Sequence, residues 1–374
     1  MTTVREVINV ITTRSYPVNY GIYAYLLSYL QDLIYTHYTF SYFSVILFMQ
    51  FFFSLFLVEI LRYILAQGIY FGSDEMTCAR LCRLIEVTPY TLRRSVPLLI
   101  PSVIYFGYLW MDMEYRVKHL VELPNYAMWK RFEPLLLMQI CALLGTKFER
   151  FRVRESRQAL GAIIGLIIGA CIASALPPYF HVQSILYGLA GSLLQLGTLL
   201  SLYNVVVHHD YAAVEILYIL SFHYCAVFLV YDIATDSSLH ALQHLMYDSS
   251  HATTFTFWFA VGGLCFVAFR TQFYMLKSME SRRLLDVTVM GCFKSAIYCI
   301  PVFYFLTGSV NLSKAESVTM PHIVGCAIAT VSLAVYFKYK AQPQVEYSKL
   351  RDDDKPRVIE VDDKGGEVMN VRTV

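Results

Sequence analysis

An all-α integral membrane protein is predicted from three observations: long apolar stretches poor in charge, Arg and Lys crowded into alternate connections between them, and a composition foreign to water-soluble domains. Of the 374 residues, 57% are hydrophobic and 16% charged, and the mean hydropathy is +0.49. That balance suits lipid as the solvent, where a helix satisfies its own backbone hydrogen bonds. With 29 Tyr and 25 Phe against 3 Trp, tyrosine supplies most of any aromatic belt at the membrane interfaces. The net charge of +2 gives no argument for nucleic acid. Most of the 9 Cys lie inside apolar runs and none forms a CxxC pair, so neither a zinc site nor a disulfide framework is expected. Residues 1–15 lack the apolar core of a secretory signal, so the first apolar run is expected to be a retained membrane helix.

Stretches of roughly 17 to 25 residues poor in charge occur at about 16–36, 41–66, 95–112, 123–145, 158–176, 183–207, 211–232, 253–276, 286–307 and 319–338. Ten spans put both termini on one side. Arg80–Arg94, Lys147 to Arg157, Lys277 to Arg283 and the C-terminal tail crowd one set of connections, whereas the other holds little beyond Arg116, Lys118 and Lys314. The positive-inside rule then makes both termini cytosolic. The organisation expected is a cytosolic N-terminus (1–15), a ten-helix domain (16–339) and a disordered, charged cytosolic tail (340–374). The ten-helix domain would divide into two inverted five-helix repeats, about 16–176 and 183–339. The sequon at Asn311 sits too near the next span to favour use, and Tyr347 to Leu350 has the form of a sorting signal.

Ionisable residues inside spans cost about 2.5 to 3.5 kcal/mol at mid-bilayer, so they become functional hypotheses by default. Lys130 and Arg131 fall within the fourth span and Lys294 within the ninth. If five helices repeat in inverted orientation, those spans are symmetry partners and their cations face one central cavity. Such cations suit a phosphate or diphosphate, with Arg as a fork and Lys as a point charge. Tyr126, Trp129, Tyr187, Tyr218 and Tyr298 are candidates to stack on a base or sugar. A blander reading has Lys130 snorkelling to the interface and pairing with Glu122 or Glu133. Glu133-Pro134 could kink the fourth span or pair with Arg131. Glu215 is either a cavity carboxylate or an ordinary helix-start acid. The spacing of Gly161, Gly165 and Gly169 points to close helix contact. His240 and His244 have zinc-compatible spacing but no cysteine nearby, so no metal or other cofactor is expected. No nucleophile elbow, HExxH, Walker A or GxGxxG pattern occurs, so no enzyme class finds support.

Several of these stretches, taken in order, resemble the nucleotide-sugar transporters of the drug/metabolite transporter superfamily, in particular the UDP-sugar branch. Leu123 to Phe132 (LPNYAMWKRF) looks like that family's fourth-span LPMFxxLRRF, and Tyr187 to Gln195 (YGLAGSLLQ) like its YGLxxxLxQ. Glu215-Ile216-Leu217-Tyr218 is similar to ELLYY, and Gly291-Cys292-Phe293-Lys294-Ser295 to GCxKN, with Ser295 in place of Asn. The likeness runs from about residue 40 to 340. It implies a Golgi or endoplasmic reticulum antiporter that exchanges a cytosolic nucleotide-sugar for a lumenal nucleoside monophosphate, with Arg131, Lys130, Lys294 and Ser295 at the substrate. A homodimer is an open alternative to the monomer. The departures, including Glu133-Pro134 after the arginine and Ile219-Leu220-Ser221 in the seventh span, leave open a transport-dead relative acting as a membrane scaffold or chaperone.

Overall fold

The computed structural model describes residues 4–66, 92–114, 128–145, 156–173, 182–209, 211–248, 255–281, 283–298 and 320–340. Arg116, Lys118, Tyr126, the Asn311 sequon, Lys314 and the tail beyond Lys340 lie outside the described residues. The long helices are α1 (Val4–Asp32), α2 (Phe43–Ala66), α3 (Leu92–Glu114), α4 (Met128–Gly145) and α5 (Arg157–Ala173), followed by α6 (Val182–His209), α7 (Ala213–Ala234), α8 (Phe255–Glu280), α9 (Leu284–Tyr298) and α10 (Met320–Tyr339). Five of them, α2, α3, α6, α7 and α8, are long and apolar enough to cross a membrane by length and composition, and shorter apolar helices occupy Arg157–Ala173 and Ile323–Tyr339.

Two boundaries differ from the sequence expectation. Helix α1 begins at Val4, so much of the segment expected to precede the first span is helical; the apolar run marked where lipid would start, not where the backbone begins to coil. The connection between the expected spans 211–232 and 253–276 also contains helical structure, a short helix Ser237–Gln243 and a single π-helical turn His244–Asp248. Asp236 opens that helix at φ 54°, a left-handed conformation that Asp tolerates. Ala241 and Leu245 from this segment pack on Ile34, Tyr38, Phe40, Phe257 and Leu264, forming an apolar cap over one end of α1, α2 and α8.

Helix packing follows a regular scheme. Helices α5 and α10 make the most extensive contact, followed by α1 with α8, α2 with α7, α3 with α6 and α4 with α9. Smaller contacts join α1 with α9, α4 with α6, α2 with α8, α3 with α7, α9 with α10 and α4 with α5. The α5/α10 contact is built on small residues. A Cβ added at Gly169 would lie 2.6 Å from the Ala329 nitrogen, and one at Gly165 would lie 2.6 Å from the Ser332 Oγ. Gly325 faces Ala173 and Gly169 across the same seam, so the two backbones approach as only glycine permits. Gly161, at the end of the stripe, meets nothing within 4 Å.

Polar contacts tie the helix ends. Asp286 at the start of α9 accepts from the Tyr336 hydroxyl at 2.7 Å and from Lys340 Nζ at 2.5 Å, with Arg283 4.0 Å away. Ser156 caps α5 by accepting from the Ala159 amide at 3.1 Å and donates to the Tyr339 carbonyl at 2.7 Å, which gives α5 and α10 a second attachment at that end.

Candidate functional site

A cavity of about 1000 Å³, its open mouth included, lies between α1, α2, α3, α4, α6, α8 and α9. Helix α4 carries Lys130 into it on its first turn, and α9 carries Lys294 and Ser295 in from the partner side. Lys130 forms an ion pair with Asp112, near the end of α3, and its ammonium lies 5.4 Å from the Tyr108 ring centroid, a cation–π distance. Lys294 Nζ donates to Ser28 Oγ at 3.1 Å, and that hydroxyl donates to the Ala24 carbonyl at 3.2 Å. The Ser295 hydroxyl bonds back to the Gly291 carbonyl at 3.2 Å.

The remaining wall is amphipathic. Amides come from Gln31, Gln50, Gln195 and Gln272, hydroxyls from Thr198 and Thr271, and rings from Tyr20, Tyr105 and Tyr108. Glu133, one turn along α4 from Lys130, also lines the cavity. It is 2% exposed, and its Oε1 has no hydrogen-bond partner among the described residues. The charges of Lys130, Lys294 and Asp112 all reach it. Two ammonium groups on facing helices can hold the oxygens of an anion, while the amides and rings present donors, acceptors and flat faces to the rest of an elongated polar ligand.

The other residues singled out from sequence lie elsewhere. Arg131 is 6% exposed but is not part of the cavity wall. Its Nε and Nη1 have no hydrogen-bond partner among the described residues, and its charge is felt by Cys292 of α9. Trp129 lies against Phe132, with ring centroids 6.1 Å apart, and its buried Nε1 has no partner among the described residues. The Tyr187 hydroxyl donates to Glu114 at 3.5 Å. Tyr126 lies outside the described residues, and of Tyr298 the structure describes the backbone at the end of α9.

Glu215 and Tyr218 belong to a separate cluster at the end of the bundle where α3 and α7 begin. Glu215 pairs with Arg94, and the Tyr218 hydroxyl donates to Glu59 of α2 at 2.5 Å. The Tyr211 hydroxyl donates to the Arg94 carbonyl at 2.8 Å. Burial raises the Tyr211 phenol above its ordinary pKa, Glu215 adds to that, and Arg94 opposes it. These contacts join α2, α3 and α7. His240 and His244 sit one turn apart, and no group of three or more His, Cys, Asp or Glu is placed to hold a metal among the described residues.

Asp112, Ser28, Gln50 and Gln272 were not singled out from the sequence, and Gln195 entered only as the end of a motif. A lone glutamine inside an apolar run, such as Gln50 between Met49 and Phe51, is the signal that could have found them, since an amide in lipid needs a partner or a cavity.

No protein-family model matches the chain, and no curated protein matches it. A solved structure described as "Crystal structure of protein" is 16% identical, covering 86% of this chain and 97% of that chain at a TM-score of 0.49, a likeness too loose to support a conclusion. The chain is an all-α protein whose several apolar helices give it multi-pass membrane character.

Proposed function

We propose that this protein is a nucleotide-sugar carrier, exchanging a cytosolic nucleotide-sugar, of the UDP type, for a lumenal nucleoside monophosphate. The observation that carries the reading is the convergence of Lys130 and Lys294, from α4 and α9, on one cavity lined by amides and tyrosines. A diphosphate between the lysines, with a base or sugar against Tyr105 or Tyr108, uses each part of that wall. The motif order from about residue 40 to 340 supports the same class, and with it a Golgi or endoplasmic reticulum membrane with both termini cytosolic.

The helix partners support a ten-span inverted repeat. Exchanging each helix with the one five places later turns α1/α8 into α6/α3, α1/α9 into α6/α4, α2/α8 into α7/α3 and α9/α10 into α4/α5. It leaves α2/α7, α4/α9 and α5/α10 as they are. The contacts of α5 with α9, and of α8 with α6, α7 and α9, have no mates of similar extent among the described residues. Five spans per half, each crossing once, would give the halves opposite orientation.

Uptake by proteoliposomes tests the reading, with a labelled panel of UDP- and GDP-sugars outside and UMP or GMP inside. Trans-stimulated uptake of one sugar supports the exchanger and names its substrate; no uptake by folded protein refutes it. One observation favours a second reading, a non-transporting scaffold: Lys130 is already satisfied by Asp112. A scaffold would show no thermal stabilisation by any nucleotide in the panel.

A further inference from the structure

The cavity brings its own anions. Lys130 and Lys294 are accompanied on the same wall by Asp112 and Glu133, so carboxyl groups stand beside the cations before any ligand arrives. Lys130 is paired with Asp112, Lys294 is held by Ser28 at 3.1 Å, and Glu133 lies within the field of both lysines. A cavity with bare cations resists occlusion in lipid, because a buried unpaired charge is costly. Such a carrier must reload before it can turn, which enforces exchange. A cavity whose cations are already compensated has no such obstacle.

Resting on the reading of the cavity as an anion site, we propose that this carrier also performs net transport: Asp112 acts as a resident counter-anion to Lys130 that lets the empty cavity occlude and return. An arriving phosphate displaces Asp112 from Lys130, and Asp112 takes the lysine back when the phosphate leaves. The net mode then moves the substrate's charge uncompensated across the membrane, whereas exchange of equally charged anions moves none. Membrane potential therefore drives the first and not the second.

The full chain, reconstituted in liposomes loaded with labelled UMP or GMP, is diluted into buffer with or without the same unlabelled nucleotide. Label is expected to leave in both cases, the net rate being at least about a tenth of the exchange rate, since an internally paired cavity escapes most of the cost of a bare buried charge. An inside-negative potential should speed net efflux alone. Asp112→Asn removes the carboxylate that pairs with Lys130 and should lower the ratio of net efflux to exchange at least about tenfold; Asp112→Ala, read by the same ratio, serves if the first variant does not fold. Release only when nucleotide is present outside overturns the net mode while leaving the carrier standing. An unchanged ratio in the variants, or net efflux indifferent to potential, overturns the counter-anion role. No release under either condition by folded protein overturns the carrier reading and the net mode with it.

Discussion

Between Lys130 and Arg131 an α-helix turns by about 100°, and that rotation separates a cavity cation from one that is buried outside its wall. Charge-assisted contacts are worth about 1.5 to 3 kcal/mol, so Lys130→Ala and Lys294→Ala should each raise KM for uptake roughly ten- to a hundredfold. Arg131→Ala should raise it less than either, as titration of labelled uptake in proteoliposomes will read. An equal or larger effect at Arg131 would mean that the loaded cavity recruits it. The lysines were legible in the sequence because a cation inside an apolar run stands out against its neighbours. Which of two adjacent cations reaches the cavity was not, since that depends on helix rotation fixed by packing. Asp112 was hidden for another reason: it falls at the end of an apolar run, where an acid is ordinary, and only the approach of α4 to α3 makes it a partner.

Among the elements, α5 and α10 show how a short pattern can specify a contact. The spacing of Gly161, Gly165 and Gly169 was readable as a packing stripe, and the structure uses two of its three positions against α10. Gly169→Leu should destabilise the protein by about 1 to 3 kcal/mol or more, the usual range for overpacking, measured as a lower melting temperature in detergent. Gly161→Ala, which meets open space, should be neutral or raise stability by up to about 1 kcal/mol through helix propensity. At the start of α9, Asp286→Ala would leave the Lys340 and Arg283 cations without their carboxylate. A loss of about 3 to 5 kcal/mol is expected for a broken buried pair, and Tyr336→Phe should lose only about 1 kcal/mol, one hydrogen bond. Helix boundaries were less legible than helix identities: hydropathy reports where lipid contact begins, and α1 continues past that point to Val4.

For the molecule as a whole, the partner scheme makes neighbours of helices far apart in sequence; from sequence only the fourth and ninth spans were brought together, and no periodicity along the chain announces the other pairs. What the sequence carried was a series of apolar runs long enough for several membrane helices and the alternation of basic connections. If the proposed function holds, a nucleotide-sugar should stabilise the fold by about 2.7 kcal/mol at a hundredfold excess over Kd, seen as a ligand-dependent rise in melting temperature. That rise should be absent for the nucleoside without phosphate, which offers Lys130 and Lys294 nothing to hold.

The seam between α5 and α10 has one more consequence. Where Gly169, Gly325, Ala173 and Ala329 meet, there are few side chains to mesh, so nothing acts as a gear tooth. Neither helix contributes to the cavity wall. On the carrier reading, such a joint would serve as a plain bearing between moving parts, tight enough not to part. Friction introduced there, by a side chain with rotamers to catch, is then expected to slow turnover of the proposed carrier while leaving substrate affinity unchanged.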